Sequence, residues 1–149
     1  MDRSYVERNK ATRERLTALL AATPDAALDA PIDAWSGKAL VAHLAFWDRM
    51  VKLRWEHATS NGLLVPAAID STTTDFINDG QIPEWTAIPA RLAKELALAA
   101  AEACDDHVAG LPDACVEAAD NGPLYRLLDR SVHRTMHLDA LEAGLAARR

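Results

Sequence analysis

Apolar residues recur along this chain with a period close to that of a helix, in four long stretches separated by turn-forming segments. The first predicts a helix over 3–22, with Leu16, Leu19 and Leu20 as its stripe and Tyr5, Val6 and Ala11 further up. Thr23-Pro24-Asp25 ends it, because a proline disfavours helix in the residue before it. The second covers 36–59 and carries Leu40, Val41, His43, Leu44, Phe46, Trp47, Met50, Val51 and Leu53 on its apolar face. Ser36 is a natural N-cap for it and Gly62 a natural stop. The third, 85–108, carries Ile88, Leu92, Leu96, Ala99, Ala103 and His107, and Gly110-Leu111-Pro112 closes it. The fourth, 123–147, carries Leu124, Leu127, Leu128, His133, Met136, His137, Ala140, Leu141 and Leu145. Residues 61–83, punctuated by Pro66, Thr72-Thr73-Thr74, Gly80 and Pro83, read as a long crossover, which a short helix near Thr74–Asn78 would shorten.

These elements predict an all-α fold: one domain over 1–149, a four-helix bundle with a long crossover between helices two and three. Composition agrees, since 50% of the residues are hydrophobic and much of that share is alanine, the best helix former. Phenylalanine, tyrosine, valine and isoleucine, which strands prefer, are sparse.

Charge narrows the partners. The formal net charge is -6, and an acidic chain without a basic patch argues against nucleic acid. Arg3, Arg8, Lys10, Arg13 and Arg15 gather in helix one, but Glu7 and Glu14 interrupt them, which reads as a solvated face. No apolar run approaches the ~20 residues that span a bilayer, and the N-terminus lacks the apolar stretch of a signal peptide. No membrane partner is expected, and the expected location is cytoplasmic. Cys104 and Cys115 do not form a CxxC pair and are expected as free thiols in a reducing compartment.

The candidate chemistry lies in histidines. His133 and His137 stand at i and i+4 in HRTMH, one helical turn apart on one face, the spacing for gripping one metal ion. By periodicity they point inward or at the rim, and His43, flanked by Leu40, Phe46 and Trp47, also faces inward. A buried imidazole needs partners for both nitrogens, and a shared metal would satisfy one on each ring. The competing reading is ordinary core histidines bonded to backbone or carboxylates. A zincin would need HExxH, but Arg134 stands at the glutamate position. A di-iron carboxylate bundle would need Glu-x-x-His, which the chain lacks. The expectation is therefore a mononuclear site on His43, His133 and His137 for zinc, nickel or iron(II). Three protein ligands leave coordination positions open, as catalytic sites do.

Trp35-Ser36, His43-Leu44 with Trp47-Asp48, the DFIND segment at 75–79 followed by Trp85, and HRTMHLDAL near the C-terminus resemble the DinB-like superfamily along essentially the whole chain. The likeness leans toward relatives of the mycothiol-dependent maleylpyruvate isomerase N-terminal domain and the bacillithiol transferases. It implies a bundle with its long crossover after helix two and a metal on His43, His133 and His137. It also implies a low-molecular-weight thiol, such as mycothiol or bacillithiol, as cosubstrate with an electrophile. The isomerase relatives carry a further C-terminal domain, so maleylpyruvate isomerisation itself is not expected of a chain ending at Arg149.

Two classes of function follow: a metal-dependent thiol S-transferase or hydrolase, and a non-catalytic metal- or ligand-binding module. A homodimer is compatible with either. Arg130, one turn before His133, is a candidate for positioning an anionic substrate, or a surface arginine paired with Asp129 or Asp139. Trp47 walls a pocket or packs in the core. His107 is second to the site or a half-exposed residue near a helix C-terminus, and His57 is expected to face solvent. Asn78 either reaches the site from the crossover or makes a turn.

Overall fold

The computed structural model describes residues 1–120 and 122–148, and its regular structure is almost all helical. Among these residues the α-helices are α1 (Tyr5–Ala22), α2 (Gly37–Ser60), α3 (Ser71–Ala87), α4 (Ala90–Ala109), α5 (Asp113–Asp120) and α6 (Ser131–Ala146). A short antiparallel hairpin, β1 (Pro31–Ile32) and β2 (Trp35–Ser36), pairs Pro31 with Ser36 and Ile32 with Trp35 and leads into α2. Its turn places Asp33 in the left-handed region, φ 54°, which aspartate tolerates better than most residues.

The ends of α2 follow the local code. The Ser36 hydroxyl accepts the Ala39 N–H at 3.2 Å. At the other end Gly62 turns left-handed, φ 71°, so that the Leu63 N–H reaches back to the Ala58 carbonyl at 2.9 Å.

Elsewhere the elements depart from the four-helix expectation. The crossover holds a full helix, α3, capped by the Asp70 carboxylate on the Thr73 N–H at 2.7 Å. Its threonines, Gly80 and Pro83 give it poor intrinsic propensity. Burial of Trp85 against α2 and the hydrogen bond from Trp47 Nε1 to Asn78 Oδ1, 2.9 Å, supply tertiary support instead. The third expected helix begins at Ala90, because Pro89 holds Ile88 extended. The fourth is shorter still. Pro123–Leu127 is a 3-10 turn, Leu128 to Arg130 is a break, and α6 starts at Ser131. Asn9 from α1 drives that break: its Oδ1 accepts the Arg130 and Ser131 N–H groups, at 2.7 and 3.1 Å, and its Nδ2 donates to the Leu128 carbonyl.

Helices α1, α2, α4 and α6 pack on one another, with α2 running along α4. Alanines face that seam, Ala39, Ala42 and Ala45 on one side and Ala93, Ala97 and Ala101 on the other, which lets the two helices approach closely. The buried apolar residues fall into two clusters, one around Leu16, Leu44, Leu138 and Leu141, the other around Tyr5, Trp55, Val108 and Leu128. Between them each of these helices contributes a buried polar residue: Asn9, Asp48, Asp105 and Arg134.

That layer corrects the expected stripes. The buried positions of α6 are Ser131, Arg134, Leu138, Leu141 and Leu145, so Met136 points away and is 58% exposed. Leu53 and Leu92 likewise face solvent, because Val51 with Trp55, and Ala93 with Ala97, set the core phase of their helices.

Candidate metal centre

His43 sits on the buried face of α2, its ring 4.8 Å from Trp35 and 5.0 Å from Trp85, centroid to centroid. Helix α6 presents His133 and His137 from its flank, half-buried, one turn apart. The three rings converge. His43 Nε2 lies 3.2 Å from His133 Nε2 and 3.1 Å from His137 Nε2, and one ligand nitrogen from each ring falls within 4.8 Å of the others. Two imidazoles on one tetrahedral zinc place their nitrogens ~3.3 Å apart, given Zn–N of ~2.0–2.1 Å. This trio could therefore hold a metal ion.

Electrostatics keeps the rings neutral, the state that ligates metal. Burial, then the charges of His137 and Arg130, pushes the His43 pKa down to about 3. Burial and Arg130 also lower His133 and His137, with the neighbouring rings adding to the effect at His133. Among the described residues His43 Nδ1, which is buried, has no hydrogen-bond partner.

Arg130 is buried and directly beside the trio, and it is not the surface arginine of the alternative reading. Asp129 pairs with Arg8 at 2.9 Å and Asp139 with Arg15 at 2.6 Å. Arg130 instead donates from Nε to Asp48 Oδ1, 2.9 Å, from Nη1 to the Arg126 carbonyl, 3.1 Å, and from Nη2 to His133 Nδ1, 3.1 Å. A guanidinium has only donors, so this contact places the proton of neutral His133 on Nε2. His43 and His137 suit a metal as they stand. His133 suits it once Nδ1 takes the proton and Arg130 turns its Nη2 elsewhere.

Behind Arg130 lies the buried ion-pair layer. Asp48 accepts from Arg130 on one oxygen and from Arg134 Nε on the other, 2.9 Å each. Arg134 also grips both oxygens of Asp105, at 2.7 and 3.0 Å, and donates to the Asn9 and Ala101 carbonyls. Burial alone would lower the Arg134 pKa; the Asp48 charge and the Asp105 hydrogen bonds outweigh it and raise it.

The histidines open on a cleft of about 370 Å³, walled by Trp35, Trp47, Asn78, Arg130 and Met136 among others. Trp47 does both jobs weighed for it, lining this cleft while 8% exposed, and Asn78 reaches it from α3. His107 and His57 stay outside: His107 lies near the end of α4, half-buried with Nε2 unpartnered among the described residues, and His57 faces solvent on α2. Cys104 and Cys115 are free and buried, and burial pushes the Cys104 thiol up to about 12, which makes it inert.

Sequence reasoning missed Asn9, Asp48, Asp105 and Arg134 as one system. A signal existed, because Asp48 falls in phase with Leu44, Val51 and Trp55, and Arg134 stands four residues before Leu138. A charged residue in phase with an apolar stripe marks a buried ion pair as readily as an error in the stripe.

Comparison with protein-family models, curated proteins and solved structures finds no match to this chain.

Proposed function

We propose that the chain is a metal-dependent enzyme of the DinB-like kind, a four-helix bundle elaborated by α3 and α5, and that it transfers a low-molecular-weight thiol to an electrophile. The observation that carries this reading is the convergence of three neutral imidazoles at the base of an open cleft. His43, His133 and His137 hold the ion, zinc, nickel or iron(II), and no further cysteine, aspartate or glutamate joins them among the described residues. Coordination positions are then left for a substrate.

A divalent metal held there supplies the Lewis acidity that brings a thiol's pKa toward neutrality. The protein's own residues do the rest. Arg130, anchored through Nε by Asp48, lines the cleft, and its Nη2, once released from His133, meets anionic or polar groups on the cosubstrate. Trp47, pinned by Asn78, forms an apolar wall against which the electrophile rests. The thiolate sulfur attacks the electrophilic carbon, a sulfur–carbon bond forms, the leaving group departs with its electron pair, and the thiol proton passes to solvent. The partners are small molecules, thiol and electrophile, rather than nucleic acid or membrane. No helix among the described residues is long and apolar enough to cross a membrane. We place the enzyme in the cytoplasm, where such thiols are kept reduced.

The test begins with elemental analysis of protein purified without a histidine tag. Conjugation of mycothiol or bacillithiol to monochlorobimane, with and without chelator, follows. Chelator-sensitive, saturable turnover that His43→Ala, His133→Ala and His137→Ala each abolish supports the reading. A metal-loaded protein that neither binds nor transfers a thiol removes it. The second reading, a non-catalytic binding module, draws on the Arg130–His133 hydrogen bond, which favours a hydrogen-bonded histidine cluster without metal. A hydrolase at the same three histidines is the remaining form of the enzyme reading.

A further inference from the structure

The histidine cleft does not end at Arg130. It shares Arg54, Thr74, Arg126 and Leu127 with a neighbouring hollow of about 560 Å³ between α2, the start of α3 and the Pro123–Leu127 turn, so the two form one continuous groove. Arg54 and Arg126 both line it, and neither makes an ion pair with a carboxylate among the described residues. Arg54 is half-buried and spends one donor on the Ala67 carbonyl at 2.6 Å. Arg126 is exposed. Asp75, itself exposed, is the one acidic side chain among the residues lining the groove. Arg130, at the inner end, already has an ion pair with Asp48.

The chain is acidic, at -6, yet it concentrates unpaired cations along this groove. Burial, and after it the charge of Arg130, lowers the Arg54 pKa, so the cation is held at some expense. An anion in the groove would relieve that strain and use the vacant guanidinium forks, which suit oxyanions.

We infer that Arg54 and Arg126 form an oxyanion subsite, which takes a carboxylate or phosphate group on a small molecule whose other end reaches His43, His133 and His137. Ser71 borders the same hollow and adds a hydroxyl to it, whereas the Thr74 hydroxyl is spent on the Asp70 carbonyl at 3.0 Å. The inference rests on reading the histidine cleft as a substrate site, and it states that the cosubstrate is an anion rather than a neutral conjugate.

Calorimetric titration of the full chain, stripped of metal with chelator, isolates this subsite from the metal. Succinate and inorganic phosphate serve as probes in separate arms at two salt concentrations. The expected result is saturable, salt-sensitive binding of at least one probe, and the stronger of the two identifies the head group. Arg54→Gln and Arg126→Gln should each weaken binding about tenfold or more, and the double variant should abolish it. Arg126→Glu, on an exposed side chain, provides a charge reversal that leaves the fold alone. Failure of both probes to bind the wild type, or unchanged affinity in Arg126→Glu and the double variant, overturns the inference. Anion binding without any thiol conjugation sustains the subsite and removes only the transferase reading. Thiol conjugation with no anion binding does the reverse.

Discussion

Two polar clusters share the first turns of α6, and they differ in what they leave unsatisfied. Arg134 faces inward and finds acceptors at Asp48, Asp105 and two backbone carbonyls. His133, one residue earlier, and His137, three residues later, face the cleft, where ring nitrogens meet only other ring nitrogens and Arg130. The inner cluster is closed: Arg130 and Arg134 balance Asp48 and Asp105, and the guanidinium nitrogens of Arg134 all have acceptors. The outer one is open, with ring nitrogens converging within 4.8 Å of one another and a groove beside it. A closed buried network specifies packing, whereas an open one invites a ligand. Arg130 belongs to both and couples them.

The sharpest way to break this comparison is to open the closed cluster. Arg134→Met removes one partner from each of two buried ion pairs, leaving Asp48 to Arg130 and Asp105 to Arg13, and should destabilise the protein by about 3–5 kcal/mol in urea titration, the usual penalty for breaking a buried pair. A loss below ~1 kcal/mol would show that the layer is not what registers the helices.

His137→Ala should do the opposite. We expect it to weaken metal affinity more than about 100-fold, beyond the effect of losing an outer partner, measured by competition with a chromophoric chelator. Metal-free stability should move by only ~1 kcal/mol or less, since the core is built from Leu, Val and Ala. Collapse of the wild-type fold on chelation would make the metal structural instead.

The pH dependence sharpens the contrast. All three histidines have folded pKa values below the unfolded value of ~6.5, with His43 at about 3. The unfolded chain therefore takes up protons that the native state refuses as pH falls. Metal-free stability should be fully present above ~6.5 and decline progressively toward pH ~3. His43→Gln should flatten that decline over the same window. An unchanged slope in denaturation midpoint would show that the rings are solvated rather than buried.

The smallest effect tests the residue that the clusters share. If the proposed transferase reading holds, Arg130→Ala should raise KM for the thiol about tenfold while lowering kcat less, because the arginine would supply uniform binding. A pure kcat effect would make it part of the chemistry, and a melting curve checks the loss of the Asp48 partner.

Helix placement was legible where local code was strong. Ser36 and Gly62 bound α2 as their chemistry requires, and α1 ends where Thr23-Pro24 must end it. It was illegible where partners distant in sequence decide. Helix α3 carries weak formers and exists through Trp85 and Asn78, and α5 was hidden between Pro112 and Pro123. The break before α6 depends on Asn9, more than a hundred residues away.

The site divides in the same way. Spacing alone determines that His133 and His137 share a face, because an α-helix repeats every 3.6 residues. Hydrophobic flanks alone put His43 on a buried face. That the rings meet at 3.1–3.2 Å is decided by how α2 and α6 pack. That Arg130 is buried beside them, rather than paired at the surface, is decided by Asp48 from another helix. A pairing between helices is set by through-space complementarity of charge and shape, and a linear sequence carries that only as residues that look out of phase.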